Sequence, residues 1–142
     1  MTVPFDLDSG LHLERSKVLL PWTTSIDRLC GIGSPEIYRH SSATNLSWRD
    51  ELVLGGLSAQ VSAMSAAGPN VFYLSIGSAK SARSEYTKLL GELSLRLGAP
   101  HVTTVDCGYP WTEWAWGDVR VSLRIAERFT EYVALMVSKG VA

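Results

Sequence analysis

The most regular alternation of apolar and polar residues lies in the C-terminal part of the chain. From residue 119 to residue 125, aliphatic residues occupy every second position, and serine and arginine stand between them. A period of two places the aliphatic residues on one face of a strand and the polar residues on the other. The turn signal Gly117-Asp118 and the tryptophans before it predict a hairpin over residues 111–126. A further apolar run predicts a last strand at about residues 131–138.

The segment before this hairpin predicts one long helix. From Tyr86 to Leu97, a tyrosine and several leucines recur at intervals of three and four residues, and charged residues mark the opposite face. Ser78 or Ser81 is a suitable N-cap, and Gly98-Ala99-Pro100 is a stop signal. We therefore predict a helix over residues 79–97.

The N-terminal half is less regular. Thr24 or Ser25 is a candidate N-cap for a short helix, which should end between Gly31 and Pro35. The segment from residue 37 to residue 46 is polar and predicts a loop.

Three apolar runs stand between this loop and the long helix. Residues 48–54 and 57–64 are separated by Gly55-Gly56, so they form either a hairpin or one strand that is bulged at the glycines. Residues 71–76 are aromatic and β-branched, which predicts a central strand. The resulting fold class is α+β: a single domain, residues 1–142, with an antiparallel sheet of five to six strands and both helices packed on one face.

Length and charge limit the classes of function. The chain has 142 residues, which corresponds to one domain, and its formal net charge at pH 7 is −1. This charge gives neither the positive field that binds nucleic acid nor the strongly negative field of a nucleic-acid mimic. The N-terminus lacks the pattern of a secretory signal, and no run approaches the roughly 18 apolar residues of a membrane span. We therefore expect a cytoplasmic protein that binds neither nucleic acid nor membrane.

The residues that most often bind metals or act as nucleophiles are few and scattered. His12, His40 and His101 have no metal-ligand spacing, so the sequence predicts no metal, no cofactor and no catalytic site. His101 and Cys107 are the only candidates for a Cys/His nucleophile pair, but six residues along a strand merely place them on one face. Cys30 and Cys107 are expected to be reduced, buried thiols, with a disulfide as the alternative if the chain is exported.

Aromatic residues are concentrated just before the predicted C-terminal hairpin. On a strand, Trp114 and Trp116 share one face and Trp111 lies on the other, so part of this tryptophan surface should remain accessible. Tryptophan and tyrosine often dominate protein–protein contacts. The sequence therefore predicts a partner-binding segment, with the polar loop near residue 38 as a further candidate; the residues are Tyr109, Trp111, Glu113, Asp118, Tyr38 and Arg39.

The order of these motifs resembles a theme in small bacterial proteins. The theme comprises a strand pair of the type Gly-Leu-x-Ala-x-Val, present here from Gly56 to Val61, and a helix that closes with Leu97-Gly98-Ala99-Pro100. A tryptophan strand and an alternating final hairpin follow, and the resemblance covers about residues 46–138. Many such proteins are immunity proteins encoded beside polymorphic or contact-dependent toxins. The resemblance implies a non-catalytic inhibitor that binds and neutralises a cognate toxin domain.

The sequence is therefore compatible with three classes of function. The first is the protein-binding inhibitor of immunity type. The second is an adaptor, a chaperone or a small-ligand-binding module that uses a curved sheet as a pocket. The third is an enzyme whose active-site residues are dispersed along the chain. The sequence is also compatible with a homodimer.

Overall fold

The computed structural model describes residues 3–76 and 81–140, and antiparallel strands account for most of its regular structure. Two short 3₁₀ turns, at Pro4–Asp6 and Ser65–Ala67, accompany the strands and helices. In chain order, the strands and helices are β1 (Gly10–Leu13), β2 (Val18–Pro21), α1 (Ile26–Leu29), β3 (Glu36–His40), β4 (Ala43–Val53), β5 (Leu57–Met64), β6 (Val71–Ser75), α2 (Ala82–Leu97), β7 (Val102–Asp106), β8 (Tyr109–Trp116), β9 (Val119–Glu127) and β10 (Glu131–Lys139).

Eight of the strands form one sheet in the order β3-β4-β5-β6-β10-β9-β8-β7. All of its neighbouring strands are antiparallel. The order describes two meanders, β3–β6 and β7–β10, which meet where β6 pairs with β10. The strands β1 and β2 form a separate hairpin.

The helix α2 packs on one face of this sheet, which we call the covered face. Its buried residues are Tyr86, Leu89 and Leu93, and the Tyr86 hydroxyl shares a hydrogen bond with the hydroxyl of Thr112 on β8. The indole N–H of Trp114 donates to the carbonyl of Gly98 just after the helix, at 2.9 Å. These contacts satisfy polar groups that burial would otherwise leave unpaired.

The β1–β2 hairpin lies over the other half of the covered face and is attached to it by two glutamates. The Glu14 carboxylate accepts the backbone N–H groups of Gly55 and Gly56 at 2.7 and 2.8 Å. Glu51 is only 3% exposed, and it accepts the hydroxyl of Ser16 and the backbone N–H of Arg15. Both carboxylates thus join the hairpin to the β4–β5 pair.

The predicted number of strands, five to six, is wrong, because the main sheet has eight. The segment at residues 37–46 is not a loop: β3 and the start of β4 occupy it. The prediction also missed the two strands of the separate β1–β2 hairpin. In the main sheet it missed β3 and β7, which are edge strands in which all five residues are exposed. Without a buried face, neither strand shows the alternation by which strands are recognised.

Most of the other predicted elements are confirmed, some with shifted ends. The long helix begins at Ala82 and not at residue 79, and Ser81 is its N-cap, accepting the backbone N–H of Ser84 at 3.1 Å. The alternative cap, Ser78, lies outside the described residues. Ser25 caps the short helix, and the strand at residues 71–75 is central in the sheet.

The two glycines at 55 and 56 lie in a hairpin turn between β4 and β5, so the hairpin alternative is correct. A register shift does occur in this pair, but it lies between Trp48 and Glu51 on β4. Between the predicted last two strands, the link is short, because only residues 128–130 separate β9 from β10.

Candidate functional site

The face of the main sheet opposite α2 and the β1–β2 hairpin is covered by none of the described helices or strands, and we call it the open face. One row of directly paired residues crosses all eight strands on this face. Three of its members are serines, and its larger side chains, Met136 and Tyr73, stand at the centre. From β7 to β3 the row is Val102, Glu113, Ser122, Met136, Tyr73, Ser62, Ser47 and Glu36.

Trp111 projects from this open face beside the row. Its neighbours on β8, Thr112 and Trp114, are completely buried on the covered face, whereas Trp111 is only half-buried. This arrangement confirms the expectation that Trp111 lies opposite Trp114 and Trp116. Arg124 stands directly across from Trp111 on β9, and its guanidinium carbon is 5.1 Å from the indole centroid. At this distance the two side chains attract each other by a cation–π interaction.

Glu113 lies next to this pair, and its carboxylate already has two hydrogen-bond donors. It accepts a hydrogen bond from the guanidinium of Arg120 at 2.9 Å and one from the hydroxyl of Ser122 at 3.4 Å. Arg124 has no such partner: among the described residues no carboxylate lies within 4.0 Å of it, and its Nε is buried without a hydrogen bond. The patch formed by Trp111, Glu113, Arg120 and Arg124 therefore has a net positive charge.

Tyr109 begins β8, and its contacts lead toward α2. Its hydroxyl donates to the carboxylate of Glu127, and the guanidinium of Arg83 from α2 is 5.6 Å from its ring centroid. The hydrogen bond to Glu127 raises the pKa of Tyr109 to about 12, and burial and the charges of Glu127 and Glu131 act in the same direction. Tyr109 therefore joins β8, the end of β9 and the helix.

The remaining predicted partner-binding residues lie away from this patch. Asp118 is in the β8–β9 turn, where its backbone carbonyl accepts the N–H of Gly140 at 2.8 Å and its carboxylate is 4.0 Å from Lys139. Tyr38 and Arg39 are on β3, six strand spacings from β8, which corresponds to roughly 29 Å at about 4.8 Å per strand. Of the six predicted residues, the structure thus brings together Tyr109, Trp111 and Glu113, which occupy alternate positions of β8.

The sequence prediction left out both arginines of this patch, Arg120 and Arg124. The alternation along β9 already places them on the polar face of the strand. The position of Arg124 opposite Trp111 depends on the register of β8 and β9, which the turn at Gly117-Asp118 sets. Combining the turn with the alternation would have paired the two residues.

The two candidates for a nucleophile pair lie at opposite ends of β7. Five strand residues separate His101 from Cys107, so about 20 Å lies between them at roughly 3.3 Å per residue. The Nδ1 of His101 instead accepts the backbone N–H of Ala115 at 2.7 Å. Both cysteines are free; Cys30 is half-buried, and the prediction that Cys107 is a buried thiol is wrong, because Cys107 occupies an exposed turn.

No group of three or more histidine, cysteine or acidic residues that could hold a metal occurs within residues 3–76 and 81–140. A cavity of about 1070 Å³ does lie between the start of α2 and the ends of β6, β9 and β10. Its apolar walls include Leu74, Leu89 and Leu135. Glu85 and Glu131 also line it, and desolvation raises the pKa of Glu85.

Compared with known protein families, with curated proteins and with solved structures, the chain matches none of them. In the part of the chain that the structure describes, no helix is long and apolar enough to cross a membrane.

Proposed function

We propose that this chain is a non-catalytic protein-binding domain, and that it holds its partner against the open face of the eight-stranded sheet. The observation that carries the proposal is the placement of Trp111: a large indole that is kept out of the core by the parity of its strand and oriented by Arg124. Half-buried aromatic and arginine side chains are the residues that most often dominate protein–protein binding.

The rest of the open face supports the same function. Serines at three positions of the row keep the face low between its larger side chains, with Ser47 and Ser122 already buried there. Tyr73 and Met136 add apolar area at the centre of the face. A broad surface with a few large side chains suits a folded protein partner better than a small molecule.

The specific form of this proposal is an inhibitor of immunity type, whose partner is a toxin domain. The resemblance of residues 46–138 to small bacterial immunity proteins motivates this form, and the separation of His101 from Cys107 removes the one nucleophile pair that the sequence offered for an enzyme. Covering a toxin's active surface requires affinity and area but no catalytic group. The open face offers the area, and Trp111 and Arg124 offer side chains that can supply the affinity.

The test uses the chain as bait in its native host. Wild-type chain, Trp111→Ala and Leu95→Ala would each be purified under identical conditions, and bound proteins would be identified by mass spectrometry. Leu95 is 88% exposed on the outer side of α2, away from the open face. We expect one stoichiometric partner with wild type and Leu95→Ala, and its loss with Trp111→Ala. A partner retained equally by all three would contradict the open face as the binding surface.

The inhibitor role is tested separately by expressing the recovered partner alone and together with this chain. Growth arrest by the partner, relieved by wild-type chain and not by Trp111→Ala, is the expected result. A partner that is harmless by itself would leave protein binding intact but contradict the immunity-type form.

The cavity beside α2 favours a second function, the binding of a small amphipathic molecule. Its apolar walls and its carboxylates at Glu85 and Glu131 suit an apolar body with an amine group. Native mass spectrometry of chain purified from the host decides this alternative. A bound small molecule that is lost in Leu89→Phe, which narrows the cavity, would support it, and a mass equal to that of the chain alone would oppose it.

A further inference from the structure

We propose that Arg124 binds a carboxylate of the partner protein, and that Trp111 forms the apolar wall of this contact. The inference rests on the proposed function, because it names the chemistry of the partner at the same surface. It predicts that an aspartate or glutamate side chain of the partner is the group placed over Arg124.

The charges of the open face single out this arginine. Arg120 is paired with Glu113 at 2.9 Å, and Arg49 is paired with Glu36 at 2.9 Å. The side chain of Arg124 forms none of the ion pairs or side-chain hydrogen bonds between described residues, although its Nε is buried. Since an unpaired buried donor costs free energy, an acceptor supplied by a partner would be bound more strongly here than at a solvated arginine.

The neighbours of Arg124 orient it for such a contact. The indole of Trp111 lies on one side, and Ala134 of β10 is directly opposite on the other side. The contact with the indole holds the planar guanidinium in place, and Ala134 adds only a methyl group on the other side. A pre-oriented guanidinium can accept a carboxylate in bidentate geometry, with two parallel N–H···O hydrogen bonds.

The surrounding acidic residues favour a single carboxylate over a nucleic-acid backbone. Glu113 is the next residue after Trp111 on this face of β8. Asp106 and Glu127 line a hollow of about 220 Å³ together with Arg124. A phosphodiester chain needs several cations in line, whereas this patch offers one unpaired guanidinium among carboxylates.

The test selects ligands from a phage-displayed library of random peptides on the immobilised full-length chain. Selected peptides that compete with one another for binding are sequenced. The affinity of each peptide is then measured for the wild-type chain and for Arg124→Gln, Arg124→Lys, Trp111→Ala and Arg39→Gln. The last variant removes an arginine at the far edge of the sheet and is the matched control. Thermal melting of each variant establishes that it is folded at the temperature of the binding measurement.

We expect the selected peptides to be enriched in aspartate or glutamate, and Arg124→Gln to weaken them about tenfold or more. Arg124→Lys should restore part of the affinity, since lysine keeps the charge but loses the bidentate geometry. Binding to wild type should also weaken as salt concentration rises, while Arg39→Gln binds as wild type does.

Several results would overturn the inference, and some of them separate it from the proposed function. Peptides that depend on Trp111 but carry no acidic enrichment, or that bind Arg124→Gln as well as wild type, contradict the carboxylate and leave the open face as a binding surface. If no selected peptide depends on either residue, or if none is selected, both proposals fail. Binding of a fluorescent single-stranded oligonucleotide that is lost in Arg124→Gln would assign the site to phosphate and would also overturn the inference.

Discussion

The two faces of the eight-stranded sheet come from the same strands, yet they place chemically similar residues in opposite roles. On the covered face, Trp114 is completely buried and donates its indole N–H to Gly98. On the open face, three positions away on the same strand, Trp111 is half-buried and stacks on Arg124. The parity of a residue along its strand therefore decides whether a tryptophan stabilises the fold or remains available to a partner.

The largest expected contrast between the faces is in two alanine substitutions. Trp114→Ala should lower the free energy of unfolding by about 3–5 kcal/mol, because it leaves a cavity and an unpaired carbonyl. Trp111→Ala should lower it by about 1 kcal/mol or less, the scale of an exposed cation–π contact. Urea denaturation of both variants measures the difference. Equal losses would show that Trp111 is part of the core and would remove the basis of the binding proposal.

A second contrast lies within α2, which carries leucines on both of its sides. Leu93→Ala should destabilise the protein by about 2–5 kcal/mol, because Leu93 is 0% exposed against the covered face. Leu95→Ala should change stability by about 0.5 kcal/mol or less, because Leu95 is 88% exposed. Thermal melting of the two variants is sufficient. A large loss in Leu95→Ala would indicate that a second surface covers the outer side of the helix.

A smaller effect is expected at the turn between β7 and β8, at the edge shared by both faces. Cys107 and Gly108 both have positive φ, 51° and 82°, which is the pattern of a two-residue type I′ turn. Because asparagine tolerates this conformation better than cysteine, Cys107→Asn should stabilise the protein by about 0.5 kcal/mol. Cys107→Val is the control and should destabilise it, since a β-branched residue is strained at positive φ. Chemical denaturation compares the three proteins.

The smallest effect concerns Tyr109, the first residue of β8, whose side chain contacts both Glu127 of β9 and Arg83 of α2. Its pKa is raised from 10.0 to about 12, so the folded state favours the neutral phenol. The resulting contribution to stability is present below pH 10 and is lost as pH rises through 12. Spectrophotometric titration of the phenolate should therefore show a component near 12 that Tyr109→Phe removes. In Glu127→Gln the same component should move toward 10, and an unchanged midpoint would contradict Glu127 as the main cause.

The sequence predicted the elements that have one buried and one accessible face. The strands β8, β9 and β10 and the helix α2 were found because their apolar residues recur with periods that match their geometry. The same alternation placed Trp111 away from the core. The residues of the open face on β8 and β9 could thus be predicted in part, because they occupy every second position of their strand.

The remainder depends on contacts between distant parts of the chain. The edge strands β3 and β7 are exposed on both sides and owe their conformation to a single neighbour each, so their own residues give no alternation. The β1–β2 hairpin is fixed by Glu14 and Glu51, whose partners are more than thirty residues away. The isolation of Arg124 from any carboxylate likewise follows from register and packing, which no local pattern contains.

The order of the strands also has a consequence for how the chain folds. Each meander is assembled from hairpins, whose paired strands are close in sequence and need only short loops to close. The pairing of β6 with β10 instead spans α2 and three other strands, so it carries the largest loop-closure entropy in the sheet. Until this seam forms, two half-sheets would each present an unpaired central strand rich in apolar residues, a known route to aggregation. The middle of the sheet is therefore where refolding should be slowest and most sensitive to protein concentration.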